Sequence, residues 1–425
     1  MNYIEYPDKA SWASILKRPT FDSASLEEKV VPILKNVQEN GDAALHHYSQ
    51  EFDHIKLDQF LVSEKELEEA ILEVPDDLKA AIEQARLNIE KFHLVQREEV
   101  KKVETMPGVV CWRKSVPITK VGLYIPGGTA PLFSTILMLA VPANIAGCDE
   151  IVLCTPPNKE GKVNSAILYT AYYLGIKKIV KVGGAQAIAA MTFGTETVPQ
   201  VYKIFGPGNQ YVTAAKQLAT KFGVAIDMPA GPSEVAVVAD ESCEPAFVAA
   251  DLLSQAEHGV DSQVILITTS ASVASLVKSE IEKQVALLPR KEFAYKALEN
   301  SKTILVRSMA DAIELVNAYA PEHLILQTKE VEKVASQITN AGSVFLGNYT
   351  PESAGDYASG TNHTLPTNGY ARAYSGVSLD SFVKKITFQH ISKAGIQTIG
   401  ATIEKMAEAE QLIAHKNAVT LRMNK

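Results

Sequence analysis

The sequence predicts an α/β fold with two successive Rossmann-like parallel-sheet domains, each incomplete and doubly wound, between a helical N-terminal and a helical C-terminal extension. Short β-branched runs ending in Gly or Pro alternate with amphipathic stretches, as in βαβ units, and this pattern starts again near mid-chain. Both ends carry apolar residues at helical spacing instead. The predicted regions are an N-terminal extension 1–105, a first α/β domain 106–232, a second α/β domain 233–370 and a tail 371–425.

The N-terminal extension is predicted to contain several helices. "SLEEKVVPILKNVQENGD" has helical spacing, and Gly41 near its end is a plausible C-cap. Ser63 and Glu66 have the spacing of a capping box that opens the next helix. Pro75 separates that helix from another in "DDLKAAIEQARLNIEKFHLV".

The strand-like runs fall into two arrays. The first array consists of "KVGLYIP", "EIVLCTP", "KKIVKVG" and "VYKIFGPG". The second consists of "SEVAVVAD", "SQVILITTS", "KTILVRS", "HLILQTK" and "AGSVFLG". The arrays show no clear sequence repeat, so an internal duplication stays open. The tail, with "IGATIEKMAEAEQLIAHKNAVTLRM", is too short to form a core of its own and must dock on another surface, for which a partner subunit is one candidate.

Composition excludes several classes of protein. The 425 residues are 46% hydrophobic with a net charge of −8, and the Lys and Arg residues are spread out, whereas a nucleic-acid binder needs a concentrated basic face. No apolar run approaches the ~20 residues of a membrane span, and the N-terminus lacks the features of a secretory signal. The four cysteines have neither zinc-ribbon nor CxxC spacing. We therefore expect a cytoplasmic protein without nucleic-acid or membrane partners.

Three glycine-rich loops follow predicted strands of the first array. They are "YIPGGTAP" (124–131), "VGGAQAIAA" (182–190) and "FGPGNQYV" (205–212). Ligands bind at the carboxyl ends of parallel strands, where glycines let the backbone approach and helix N-termini favour phosphate. None of the loops has the GxGxxG dinucleotide pattern, so a nucleotide site and plain tight turns both remain open.

Polar side chains that could bind a metal or move protons concentrate in the second half of the chain. They are Gln255, His258, Glu322, His323, Asp356, His363, Glu410 and His415. Gln255 and His258, three apart on a predicted helix, share a face and could reach one ion. Separated His residues with an Asp and a Gln suit a borderline metal such as zinc. Taken singly, a His is more often a surface or hydrogen-bonded residue than a ligand, Asp356 would be a turn residue beside Gly355, and Glu410 and His415 would be the solvated face of an amphipathic helix.

Glu322 and His323 form an adjacent acid–base pair, which suits a reaction that both activates water and moves a proton. They precede a predicted strand, and a loop at that end normally faces away from the active edge of a doubly wound sheet. An unusual local path or an antiparallel strand is therefore expected. Cys148 or Cys111 is a rival catalytic group, as the nucleophile of a thioester mechanism, but no His lies near either in sequence.

Seven blocks together resemble the histidinol dehydrogenase family, in that family's order and over nearly the whole chain. They are "VGLYIPGGTAPLFSTILMLAVPANIAGC", "VGGAQAIAAMTFGTETVP", "KIFGPGNQYV", "IDMPAGPSEVAVVAD", "DLLSQAEHG", "APEHL" and "SAGDYASGTNHTLPTNGYARAYSG". The resemblance implies a zinc-dependent enzyme that uses two NAD in succession to oxidise L-histidinol through histidinal to L-histidine. It also implies a homodimer in which each tail reaches the partner's site.

The resemblance further implies a role for each candidate residue. The zinc ligands would be Gln255, His258, Asp356 and His415. The acid–base pair would be Glu322 and His323, with His323 also touching the substrate. Further substrate contacts would come from Ser233, His363 and Glu410, and the NAD-lining residues would be Tyr124, Gln186 and Asn209. Two rival readings are a zinc hydrolase, which would turn over without nicotinamide, and a binding module that kept the fold without activity.

Overall fold

The computed structural model describes residues 1–19, 23–127 and 131–425. The N-terminal part contains a strand, four helices and a hairpin. Their bounds are β1 (Asn2–Glu5), α1 (Trp12–Ile15), α2 (Ser23–Phe52), α3 (Glu64–Glu73), α4 (Asp76–Leu94), β2 (Lys102–Met106) and β3 (Val109–Pro117). The capping box predicted at Ser63 and Glu66 is formed at the start of α3. Gly41 leaves the helical conformation, with φ 51°, but a second helical segment continues α2 beyond it.

The first parallel sheet follows the hairpin and confirms the first predicted array. Its elements are β4 (Lys120–Tyr124), α5 (Phe133–Ala146), β5 (Glu150–Cys154), α6 (Ser165–Tyr173), β6 (Lys178–Val180), α7 (Gly184–Phe193), β7 (Lys203–Phe205), α8 (Gln210–Ala219) and β8 (Ala225–Ile226). The strand order is β6-β5-β4-β7-β8, and every pairing is parallel. Strand order reverses at β4, as in a doubly wound sheet.

The second parallel sheet repeats that order. Its elements are β9 (Glu234–Ala239), α9 (Pro245–Ala256), β10 (Gln263–Thr268), α10 (Ala271–Val285), α11 (Lys291–Glu299), β11 (Lys302–Leu305), α12 (Met309–Tyr319), β12 (His323–Gln327), α13 (Val331–Ala335), β13 (Ser343–Leu346) and α14 (Glu352–Tyr357). The strand order is β1-β11-β10-β9-β12-β13, again all parallel. Apart from β1, both sheets thus have the same succession of strands.

Both sheets are covered on both faces. In β9, Val235 and Val237 belong to one buried cluster, whereas Ala236 and Val238 belong to another on the opposite face. All six residues of β9 are buried, which explains why the strand reads as a continuous apolar run. The prediction of doubly wound, Rossmann-like parallel sheets is confirmed.

Besides β2, of which residues 102–105 fall within the predicted helical extension, two further strands lie in regions that were predicted to be helical, and the prediction was wrong there. The first is β1, which pairs with β11 at the edge of the second sheet. The second is β14 (Val383–Ile391), which pairs antiparallel with β3 along its whole length. Most of β14 is exposed, so it carries no buried apolar run, and pairing of its backbone with β3 stabilises it. The tail then continues with α15 (Lys393–Ala409) and α16 (Ile413–Met423), which pack on each other.

Candidate active site

The polar residues of the second sheet gather at the amino ends of its central strands. β9 begins at Glu234 and β12 begins at His323, and these parallel strands are neighbours, with His323 opposite Val235. Because α9 runs back from the far end of β9, its last turn brings Gln255 to the same edge. The prediction that an antiparallel strand or an unusual local path would be needed to bring Glu322 and His323 into the site was therefore wrong. The site lies at the amino edge of this sheet, and returning helices carry further ligands to it.

The backbone of Glu234 holds the acid–base pair in place. Its amide donates to Oε2 of Glu322 at 2.9 Å. Its carbonyl oxygen lies 3.2 Å from Nδ1 of His323 and accepts from Nε2 of Gln255 at 3.5 Å. Nδ1 of His323 also lies 3.0 Å from Nε2 of Gln255. One edge of the imidazole is thus fixed, and Nε2 at the other edge has no hydrogen-bond partner among the described residues.

The Glu234 side chain is fixed in turn by Arg18 from the N-terminal part. Nε and Nη2 of Arg18 donate to the two carboxylate oxygens, at 2.5 and 2.8 Å. Nη2 also donates to the carbonyl oxygen of Tyr319 at 2.8 Å, and the guanidinium lies 3.9 Å from the centre of the Tyr319 ring. Burial alone disfavours the charged guanidinium, but the hydrogen bonds and charge of Glu234 raise the pKa of Arg18. This is a buried, bidentate ion pair directly behind the site.

A group of donor atoms at this edge fits a divalent cation. One ligand atom from each of His258, Glu352 and Asp356 lies within 4.8 Å of the others. Next to this group, Oε1 of Gln255 and Oε2 of Glu352 are buried without a hydrogen-bond partner among the described residues. An imidazole nitrogen with amide and carboxylate oxygens is a donor set that zinc accepts. Two of the four predicted ligands, His258 and Asp356, lie in this group, and Gln255 contacts the neighbouring His323.

The charges around His323 also fit a cation bound at this group. Burial by itself lowers the pKa of His323, but the carboxylates of Glu352, Glu322 and Asp356 raise it well above the ordinary value. Burial, together with the nearby Asp356 carboxylate, raises the pKa of Glu352 to about 8. Several carboxylates in a largely dry region need compensating positive charge. A bound dication would supply it.

A cleft of about 300 Å³ opens beside this group. Its lining includes Ser233, His258, Glu322 and His363, and on the opposite side Asn209 of the third glycine-rich loop. His363 is held by its two ring nitrogens. Nδ1 lies 2.8 Å from the carbonyl oxygen of Asp356, and Nε2 lies 3.1 Å from Oγ1 of Thr135 on α5. The cleft thus lies between residues of the two parallel-sheet arrays.

The three predicted NAD-lining residues share a second cavity, of about 750 Å³, at the carboxyl ends of the first sheet. Tyr124 ends β4, Gln186 lies in the first turn of α7 and Asn209 caps α8. The Tyr124 hydroxyl accepts from the amide of Gly184 at 3.1 Å, and Oε1 of Gln186 is buried without a hydrogen-bond partner among the described residues. Burial raises the pKa of Tyr124 to about 12, so its hydroxyl stays neutral. Part of the first predicted loop, residues 128–130, lies outside the described residues.

Two predicted residues are not at this site within one chain. Glu410 follows α15 and His415 lies on α16, and both are exposed.

The rival catalytic cysteine is also disfavoured at Cys148, because burial raises the pKa of its thiol to about 12. Among the described residues, no helix is both long and apolar enough to cross a membrane.

The sequence reasoning missed Glu352 and the Arg18–Glu234 pair. A signal for Glu352 was available, because Glu352 and Asp356 stand four apart and share one face of a helix. Arg18 carried no such signal, since its partner lies 216 residues away in the sequence.

Comparison with known proteins gives one consistent result. The sequence model of the family described as histidinol dehydrogenase matches residues 16–423. The histidinol dehydrogenase of Bacteroides fragilis is 63% identical over 423 residues, covering 100% of this chain and 99% of that protein. The one from Bacteroides thetaiotaomicron is 62% identical over 424 residues, with coverage of 100% and 99%. A crystal structure of histidinol dehydrogenase from Elizabethkingia anophelis matches with a TM-score of 0.98 and 56% identity, covering 100% of this chain and 98% of that one.

Proposed function

The chain belongs to the histidinol dehydrogenase family of oxidoreductases, and from this premise we propose that it oxidises L-histidinol through histidinal to L-histidine, using one zinc ion per subunit and two NAD in succession. The observation that carries the proposal is that His258 and Asp356 lie within one group of donor atoms, beside His323, which contacts Gln255, Glu322 and Asp356. A cleft for a small substrate adjoins this group, and a separate cavity with the NAD-lining candidates shares Asn209 with that cleft.

The donor atoms are suited to holding the substrate. Histidinol has an imidazole and a primary amine, which are both nitrogen ligands for zinc. A zinc ion held by Gln255, His258 and Asp356, with His415 from the partner, would supply coordination positions for those nitrogens and so anchor the substrate. Ser233 and His363 line the cleft in which the rest of the molecule would lie. Anchoring at the far end would keep the aldehyde bound between the two oxidations.

In the first oxidation, His323 takes the hydroxyl proton at Nε2, the ring atom without a hydrogen-bond partner among the described residues. Asp356 Oδ1, 3.5 Å from this nitrogen, stabilises the imidazolium that results. In the second oxidation, Glu322 takes a proton from the water that adds to the aldehyde. The amide of Glu234 keeps the Glu322 carboxylate directed towards the cleft. The chemistry that NAD supplies when bound is acceptance of one hydride in each oxidation.

We expect two NADH per L-histidinol and loss of turnover when zinc is removed by a chelator, with recovery after zinc is added back. The reason is that both an alcohol and an aldehyde are oxidised at one anchored substrate. The measurement is NADH absorbance at a limiting amount of histidinol, with amino-acid analysis of the product. One NADH per histidinol would reduce the proposal to a simple alcohol dehydrogenase. Product formation without nicotinamide would favour the zinc hydrolase instead.

We also propose that the enzyme is a homodimer in which each tail completes the partner's site with Glu410 and His415. The exposed apolar residues of α15 and α16 support this proposal. Met406, Leu412, Ile413 and Leu421 are exposed apolar residues, and α16 has no buried residue. Such a surface is expected to be covered by another protein surface. His415 on this exposed helix then becomes available as the fourth zinc ligand of a neighbouring site.

Co-expression of two variants that each form almost no L-histidine tests the crossed tail, with L-histidine formation as the measured activity. A Glu322→Gln chain and a His415→Ala chain, each with its own affinity tag, form mixed dimers in which one site receives both intact residues. Random pairing then restores about a quarter of wild-type activity, since half of the dimers are mixed and each has one good site. Pairing Glu322→Gln with His258→Ala is the control, because both changes lie in the same chain's part of the site and no intact site forms. If the first pair stays as inactive as the control, the tail does not cross.

A further inference from the structure

Glu352 is a buried carboxylate at the ion-binding group that the family resemblance leaves without a role. It is the first residue of α14, and only 1% of its surface is exposed. Its backbone amide donates to the Asp251 carboxylate, and Oδ2 of Asp251 also accepts from Nε2 of Gln327 at 2.9 Å. The start of α14 is therefore anchored to α9 and β12. This anchoring fixes where the Glu352 side chain can point.

One oxygen of the Glu352 carboxylate has no hydrogen-bond donor among the described residues. Oε2 is buried and has no hydrogen-bond partner among the described residues. The neighbouring Glu322 differs, since its Oε2 accepts from the amide of Glu234. Glu234 differs too, because Arg18 neutralises it. A buried carboxylate oxygen without a hydrogen-bond partner is costly, so its retention at this place fits a cation bound beside it.

The Glu352 carboxylate lies among the donor atoms of the proposed zinc site. A carboxylate oxygen of Glu352 and ligand atoms of His258 and Asp356 all lie within 4.8 Å of one another. Glu352 and Asp356 are one helical turn apart on α14, so both carboxylates are presented by one rigid element. Two carboxylates also balance the charge of a dication, whereas Asp356 alone would leave the buried site with a net positive charge.

We propose that Glu352 is a direct ligand of the zinc ion, in addition to Gln255, His258 and Asp356. This inference rests on the proposed zinc dependence. Each chain then supplies four donors of its own, and the ion can remain bound when the partner's tail is absent. Glu352 is also a ligand that can be displaced when the substrate brings its own nitrogens.

Zinc affinity and cobalt spectroscopy test the assignment on the full-length dimer. Metal-free wild type, Glu352→Gln and Glu352→Ala are titrated with zinc against a chelating dye. Their Co²⁺ forms are examined by visible absorption, which reports coordination number. We expect zinc binding at least about 10-fold weaker in Glu352→Ala, and a stronger d–d absorption because one ligand is lost. Glu257→Gln is the matched control, since Glu257 lies between Gln255 and His258 but outside the ligand group.

Thermal unfolding gives a second measurement that does not depend on activity. Without metal, Glu352→Gln is expected to unfold at the same temperature as wild type or higher, because Gln keeps the shape of the side chain and removes a buried carboxyl group that lacks a hydrogen-bond partner at Oε2. The rise in Tm on adding zinc is expected to be smaller than in wild type. Equal zinc affinity and an unchanged cobalt spectrum in Glu352→Ala would overturn the assignment, as would weaker affinity with an unchanged spectrum. Failure of the wild type to bind zinc would instead contradict the proposed function.

Discussion

Replacing Glu322 by Gln is expected to slow the oxidation of histidinal by about 10²–10⁴-fold, the usual contribution of a positioned general base, and to slow the oxidation of histidinol much less. The carboxylate is needed only where a water molecule must lose a proton. Gln has the same shape, and its amide oxygen can still accept from the amide of Glu234, as Glu322 does at 2.9 Å. The position of the neighbouring His323 is therefore preserved, so proton transfer from the alcohol continues.

The two steps are separated by supplying each substrate on its own. Single-turnover NADH formation is followed with excess enzyme, first from histidinol and then from histidinal. Glu244→Gln serves as the control, because this exposed carboxylate is at the opposite end of α9 from the site. Its rates should match wild type in both steps. Equal losses for alcohol and aldehyde in Glu322→Gln would remove Glu322 from water activation.

Replacing Arg18 by Met is expected to lower the free energy of unfolding by about 3–5 kcal/mol, the usual cost of leaving one partner of a buried ion pair uncompensated. The Glu234 carboxylate is 2% exposed and would lose both guanidinium hydrogen bonds. It would retain the hydrogen bond from the amide of Asn368, at 2.7 Å, which cannot replace a full positive charge. The backbone amide and carbonyl of the same residue hold Glu322 and His323, so disorder here would reach the site.

Denaturant unfolding of metal-free protein, followed by fluorescence and far-UV circular dichroism, measures this effect. A double variant, Arg18→Met with Glu234→Gln, should regain part of the loss, because the stranded charge is then gone. Arg372→Met is the matched control. Arg372 is exposed and donates to the carbonyl oxygen of Ala318, so its loss should change stability by no more than about 0.5 kcal/mol. A midpoint for Arg18→Met equal to that of this control would show that the buried pair contributes little.

The sheets could be predicted because their strands are buried on both faces. In β9 and β10 every residue is buried, and apart from the end residues Glu234, Gln263 and Thr268 each strand is an unbroken apolar run. β1 and β14 lack this signal. β1 has no buried residue and only four positions, and β14 is mostly exposed. What defines these two strands is hydrogen bonding with residues far away in the sequence, which local patterns do not report.

The site was predictable as a set of residues but not as an arrangement. The chemistry of Gln255, His258 and Asp356 indicated a metal; the structure brings His258 and Asp356 into one group and Gln255 into contact with His323. Their place at the amino edge of the sheet was not foreseen. The rule for parallel sheets places ligands in the loops at the carboxyl ends of the strands, and it does not cover residues on helices that run back to the amino ends. Glu352 was overlooked since its importance depends on burial and on the lack of a partner, which only the packed structure reveals.

The edge strand β1 has a consequence for how the protein is made. Residues 2–5 pair with residues 302–305, so this segment has no partner until about three hundred more residues have been translated. At the usual rate of translation this takes roughly 15–60 s. The first parallel sheet is built within residues 120–226 and can form during that time. Until then residues 2–5 stay unpaired, and chaperones or proteases that recognise nascent chains can bind them.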